Sequence, residues 1–176
     1  MKNIKKQIDE LNSKWFKIRA LADEIRLSAG REIARSHTGK KMNLSSLSSK
    51  IKKLNNYQKK FPFIQGSVYV AYQEYVEAEV LQAIVSEKPL PKLPVPEASY
   101  FSGVCDAIGE VKRRFLIYLI KGRRKDAMKL LDRCLELNSI IAEIDSSPAI
   151  IPAIKHKKDL VKRTVEIMLE TAVRTQ

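Results

Sequence analysis

Four acids stand in two closely spaced pairs: Glu74 and Glu77, then Asp106 and Glu110. Glu74 and Glu77 lie in AYQEYVEAEV, within the most apolar reach of the chain. From Phe63 to Val85 the only charged residues are Glu74, Glu77 and Glu79, in a chain with 33 Lys plus Arg against 20 Asp plus Glu. A carboxylate in apolar surroundings is costly unless something pairs with it. On a helix, Glu74 and Glu77 share a face while Glu79 lies well round the barrel. Asp106 and Glu110, four apart in SGVCDAIGEVKRRF, again share one. Like charges at these spacings repel by a few tenths of a kcal/mol, roughly, in an isolated helix, so each pair needs a reason. If the two helices pack as neighbours, the four carboxylates converge.

A converging set of carboxylates suits a hard divalent cation. Mg²⁺ or Mn²⁺ prefers carboxylate and water ligands and is usually held by a few acids plus substrate phosphate. A cation so held activates water and stabilises the charge that develops in phosphodiester cleavage. A structural reading stands beside this one: Glu110 pairs with Arg113 or Arg114 one turn on, and Glu77 or Glu79 faces solvent or a subunit interface. A ferritin-like di-iron site would need Glu-x-x-His motifs. The only histidines, His37 and His156, fall in neither acidic helix and read as surface residues. No Gly-rich phosphate loop occurs. Cys105 and Cys134 are too few and too far apart for a zinc site or a disulfide framework and read as core thiols of a reducing compartment.

Helices must position these acids. Ile4, Ile8, Leu11, Trp15, Ile18, Ala22 and Ile25 step by four and three, the stripe of a long helix from about residue 2 to about 35, broken by Gly39, Lys40 and Lys41. Asn43 is placed to cap a second helix with face Leu44, Leu47, Ile51, Leu54 and Tyr57. Phe61-Pro62 punctuates before a third, from about 62 to 87, apolar nearly all round as a central helix should be. KPLPKLPVPE, with four prolines in ten residues, reads as an extended connection. Further helices span about 98 to 121 and about 123 to 144, and SSPAIIPAIKHKKDLVKR opens a last one. No stretch alternates with period two. The spacing predicts an all-α single domain over residues 1–176, a bundle of about six to seven helices.

A net charge of +13 and a pI near 9.8 point to a polyanionic partner, nucleic acid first and an anionic membrane surface second. The patches are Lys50 to Lys60, then Lys112, Arg113 and Arg114, then KGRRK with Arg123 and Arg124, then Lys155, Lys157 and Lys158 in KHKKDLVKR. Basic residues spread over several helices suit phosphate contact more than base reading. Tyr69, Tyr72 and Tyr75 read as core, not stacking platforms. No signal peptide is evident, and three glutamates argue against a membrane span at 63–85, so the chain reads as cytoplasmic with no membrane partner.

With these residues in view, the sequence resembles the translin and translin-associated factor X (TRAX) family, as a compact prokaryotic-type member. The resemblance rests on QEYVEA at Gln73 to Ala78, on YFSGVCDAIGEVKRRF at Tyr100 to Phe115 and on SPAIIPAIKHKKDLVKRTVE, and runs nearly the whole chain. It implies an all-α subunit of a closed octameric shell that binds single-stranded RNA and DNA. TRAX carries an acidic set and acts as a magnesium-dependent endoribonuclease, whereas translin lacks the full set. Glu74, Glu77, Asp106 and Glu110 match the TRAX acids, and translin has an apolar residue where Asp106 stands here. The flanks of the fourth helix are as similar to translin as to TRAX, so a single chain in a homo-oligomer would combine both roles. The expectation is a Mg²⁺- or Mn²⁺-dependent endoribonuclease on single-stranded RNA. A translin-like shell that binds RNA or single-stranded DNA without cutting is the alternative, and a helical scaffold for another protein the third.

Overall fold

The computed structural model describes residues 1–62 and 66–175, and these form six helices with no strand among them. They are α1 (Lys2–His37), α2 (Ser45–Lys60), α3 (Gly66–Val85), α4 (Glu97–Ile120), α5 (Arg124–Glu143) and α6 (Ile154–Arg174). Residues 63–65, where the third helix was expected to begin, lie outside the described residues. The all-α expectation holds. No helix among the described residues is long and apolar enough to cross a membrane.

Two boundaries differ from expectation for local reasons. Leu44, not Asn43, stands at the cap position of α2. Asn43 instead bends the chain one residue earlier, its Oδ1 accepting from Ser45 Oγ at 2.7 Å and Ser45 N at 3.4 Å. Pro152 holds back α6: residues 148–153 are turns, and Ala153 adopts a left-handed φ of 57° immediately before the helix starts.

α3 is the centre of the bundle, packed on α4 and α1 and touching α2 and α5, while α5 and α6 cover the far side of α4. This explains its near-uniform apolarity: Val68, Ala71, Tyr72, Tyr75, Val76, Ala78, Val80 and Leu81 are all buried. Tyr72 and Tyr75 are core as expected, and half-buried Tyr69 bonds Ser102 Oγ at 2.7 Å. Cys105 and Cys134 are free buried thiols, pushed by burial up to about 12. Residues 3 to 14 of α1 are exposed, and its core contribution starts at Ile18.

Gly103 lets α3 and α4 approach closely. A Cβ there would lie 2.6 Å from both the Gln73 carbonyl oxygen and Val76 Cβ. Backbone and a β-branched carbon cannot swing aside, so only glycine lets the two helices touch at this level. Gly103→Ala is expected to cost about 1–3 kcal/mol, the usual cost of overpacking, read as a lower urea midpoint. An unchanged midpoint would mean that the helices part freely.

Candidate active site

The contact at Gly103 brings the acids together. Gln73, Glu74 and Glu77 descend along α3 beside Asp106 and Glu110 on α4, and each carboxylate of the quartet lies in the field of the others. Glu77 feels this most. Burial first, then the charges of Glu74, Asp106 and Glu110, push its carboxyl up to about 8, against a partial pull from Lys157. Glu74 is raised too, chiefly by burial, with Arg26 of α1 pulling the other way. Glu79 points elsewhere, raised by burial with a bond from Tyr75 offsetting part of it. The two pairs read from helical spacing therefore share one site, and Glu79 stands apart.

Three partners in it were not foreseen. Lys157, at the first turns of α6, reaches Asp106 Oδ1, while Gln73 Nε2 donates to Oδ2 of the same carboxylate. His37, expected on the surface, is buried at the end of α1 and sits 2.5 Å from Glu110 Oε2 through Nε2. A carboxylate only accepts, so Nε2 carries the proton. His37 Nδ1 has no partner among the described residues. Glu110 thus pairs with His37 and not with Arg113 or Arg114. Among the described residues no three His, Cys, Asp or Glu side chains stand close enough to form a ready cage for a cation. An ammonium and an imidazole hold two of the four acids instead.

The basic residues divide by role. Lys112, Arg113 and Lys155 make no ion pair among the described residues. Arg123 pairs with Asp126 at 2.8 Å and lies over the Tyr118 ring. Arg124 and Lys158, expected to touch phosphate, are spent on helix ends: Arg124 donates to the Thr175 and Ala172 carbonyls closing α6, Lys158 to those of Ala142 and Ile144 closing α5. Arg114 is buried at 6% exposure.

Solved structures similar to this architecture include C3PO structures. AfC3PO matches with a TM-score of 0.83 at 23% identity over 99% of this chain and 95% of that one. The fold is that of C3PO. An AfC3PO complex with duplex RNA matches at 0.83 and 22%, and apo-NeC3PO at 0.86 and 22% over 99% of this chain and 96% of that one. The translin-like architecture read from the sequence is thus the one observed. An uncharacterised protein of Methanocaldococcus jannaschii, MJ0175, is 36% identical over 80 residues, covering 43% of this chain and 36% of that protein's length. No protein-family model matches the chain.

Glu77 gives the site a pH signature. Its folded value near 8 stands above its ordinary 4.5. Below 4.5 the carboxyl is neutral folded or unfolded; between 4.5 and 8 the unfolded chain ionises first, so stability is lost as pH rises through that window. Glu77→Gln removes the loss. Its melting temperature is expected to match wild type near pH 4.5 and exceed it increasingly up to pH 8, by differential scanning fluorimetry. A gap that does not vary with pH would refute the placement of Glu77.

Proposed function

We propose that this chain is a metal-dependent endoribonuclease that binds and cleaves single-stranded RNA with little sequence specificity, inside an oligomeric shell. The observation that carries the proposal is the convergence of four carboxylates from α3 and α4: Glu77 lies in the field of Glu74, Asp106 and Glu110, and burial together with those charges pushes its carboxyl up to about 8 against a partial pull from Lys157. The donor chemistry, though not a preformed cage, suits the group this implies: Glu74, Glu77, Asp106 and Glu110 offer only the hard oxygens that Mg²⁺ or Mn²⁺ prefers, and a cation would have to draw them together and displace Lys157 and His37. Bound by these four, the cation would withdraw charge from the phosphodiester and acidify water.

The chain's own residues do the rest. Gln73 fixes Asp106 on one oxygen and Lys157 neutralises the other, while His37 orients Glu110. Lys112, Arg113 and Lys155 would seat the strand by its phosphates. Single-stranded DNA would bind by the same contacts. The RNA duplex solved on AfC3PO makes double-stranded RNA a second substrate to test.

The alternative is a shell that binds without cutting. Lys157 on Asp106 and His37 on Glu110 favour it, because a salt-bridged quartet needs no metal. End-labelled single-stranded RNA incubated with the purified protein in Mg²⁺, in Mn²⁺ and in EDTA separates the two. Cutting that EDTA abolishes supports the nuclease. Binding without cutting in either metal leaves the shell.

A further inference from the structure

One buried cation has no counter-charge. Arg114, one turn beyond Glu110 on α4, is 6% exposed, its Nε has no hydrogen-bond partner and no carboxylate pairs with it among the described residues. Its guanidinium lies over the Tyr118 ring, 5.6 Å from the centroid. An unpaired buried charge is costly, and a site that keeps one has a use for it.

Arg114 lines a pocket of about 270 Å³ where the ends of α1, α3 and α4 meet. Lys40, Lys41 and Arg123 line it too, and no carboxylate does. Gly39, at φ 86°, makes the turn that leads Lys40 and Lys41 to its wall. Gln82 Oε1 in the wall is buried without a partner among the described residues, an acceptor that a hydroxyl beside the anion would fill. The pocket shares Val85, Tyr118 and Arg123 with a larger groove of about 580 Å³ along α5, whose wall carries Glu87, Asp126, Asp132 and Glu136 among its bases, so the chamber free of carboxylates is the smaller one.

We infer that this pocket is a phosphate site that seats one phosphate of the bound strand next to the acidic quartet. Glu110 and Arg114 are four residues apart on one helix face, about 6 Å by helical rise, a separation of the order of one nucleotide step. His37 and Ser36 make the same junction from α1: His37 holds Glu110 and Ser36 lines the phosphate pocket. The assignment rests on the reading of the quartet as a nuclease site. It adds what the free surface lysines do not, a built subsite that fixes which phosphate lies over the acids.

Inorganic phosphate is the first probe, compared with chloride at matched ionic strength. The wild-type melting temperature is expected to rise with phosphate, and the rise to vanish in Arg114→Met and in Lys40→Gln/Lys41→Gln; the second variant changes exposed residues only and serves should the first fail to fold. Affinity for single-stranded RNA is then expected to fall about tenfold in each, with a shallower salt dependence. No phosphate-dependent rise in the wild type, or a rise that survives both variants, overturns the site. A rise lost in the variants while their RNA affinity stays at wild-type level overturns the strand as occupant. RNA binding that weakens in the variants while no RNA is cut in either metal keeps the pocket and removes the nuclease reading alone.

Discussion

Asp106→Asn is expected to leave RNA bound and reduce its cleavage at least about 100-fold, the scale on which removing one preorganised charge acts at a reacting phosphoryl or acyl group. The substitution keeps the shape of the side chain and its position between Gln73 and Lys157. It removes one charge from a set of four. Binding survives because the strand is a polyanion held by lysines and arginines, and loss of a nearby carboxylate makes that attraction no weaker. Glu77→Gln should behave alike, and its stability gain at pH 8 shows that the variant is folded while it fails to cut. Single-turnover cleavage of end-labelled RNA with parallel anisotropy titrations reads both quantities. Variants that cut as well as wild type would place the nuclease activity in another site or another protein.

The helices were legible because their apolar residues recur at three and four. The same stripes held the missed partners in plain view. Ile25, Ala29, Ile33 and His37 step by four, so the apolar face of α1 runs straight into His37, and a histidine on that line is buried against whatever α1 packs upon. Ile154, Lys157, Val161, Thr164 and Met168 trace the buried face of α6, which puts Lys157 where a core residue belongs. Arg114 follows Ala107 and Val111 on the inner face of α4 in the same way. Reading KHKK and KRR as charge runs treated every base alike; reading them by helical phase separates the one that turns inward from those that face water.

Other features had no signal along the chain. Gly103 looks like any helical glycine until Gln73 and Val76 are seen against it, 30 and 27 residues away in sequence, because the constraint belongs to the pair of helices and not to either. Arg124 and Lys158 stand in patches that suit phosphate, yet the nearest acceptors are the free carbonyls at the ends of α6 and α5. A cation takes the partner that tertiary structure brings to it.

The first four turns of α1 lead to the second large effect. Ile4, Ile8 and Leu11 are 54%, 50% and 42% exposed, although they continue the line that enters the core at Ile18. A helix of 36 residues is about 54 Å long, and its N-terminal third carries an apolar stripe that nothing among the described residues covers. Burying large apolar side chains of this kind is worth on the order of 1.5–3 kcal/mol each when complete, so a second copy is the natural cover for the shell proposed above. Leu11→Asp with Ile8→Asp is expected to convert the assembly to monomers by sedimentation velocity while far-UV circular dichroism is unchanged, because the core begins seven residues after Leu11. RNA affinity should fall steeply with it, since a shell engages one strand with several subunits at high effective concentration and a monomer cannot. A double variant that keeps both its assembly and its RNA affinity would show that the stripe is not the seam, and that the exposed apolar residues of α6, among them Leu160, Leu169 and Val173, are where subunits meet.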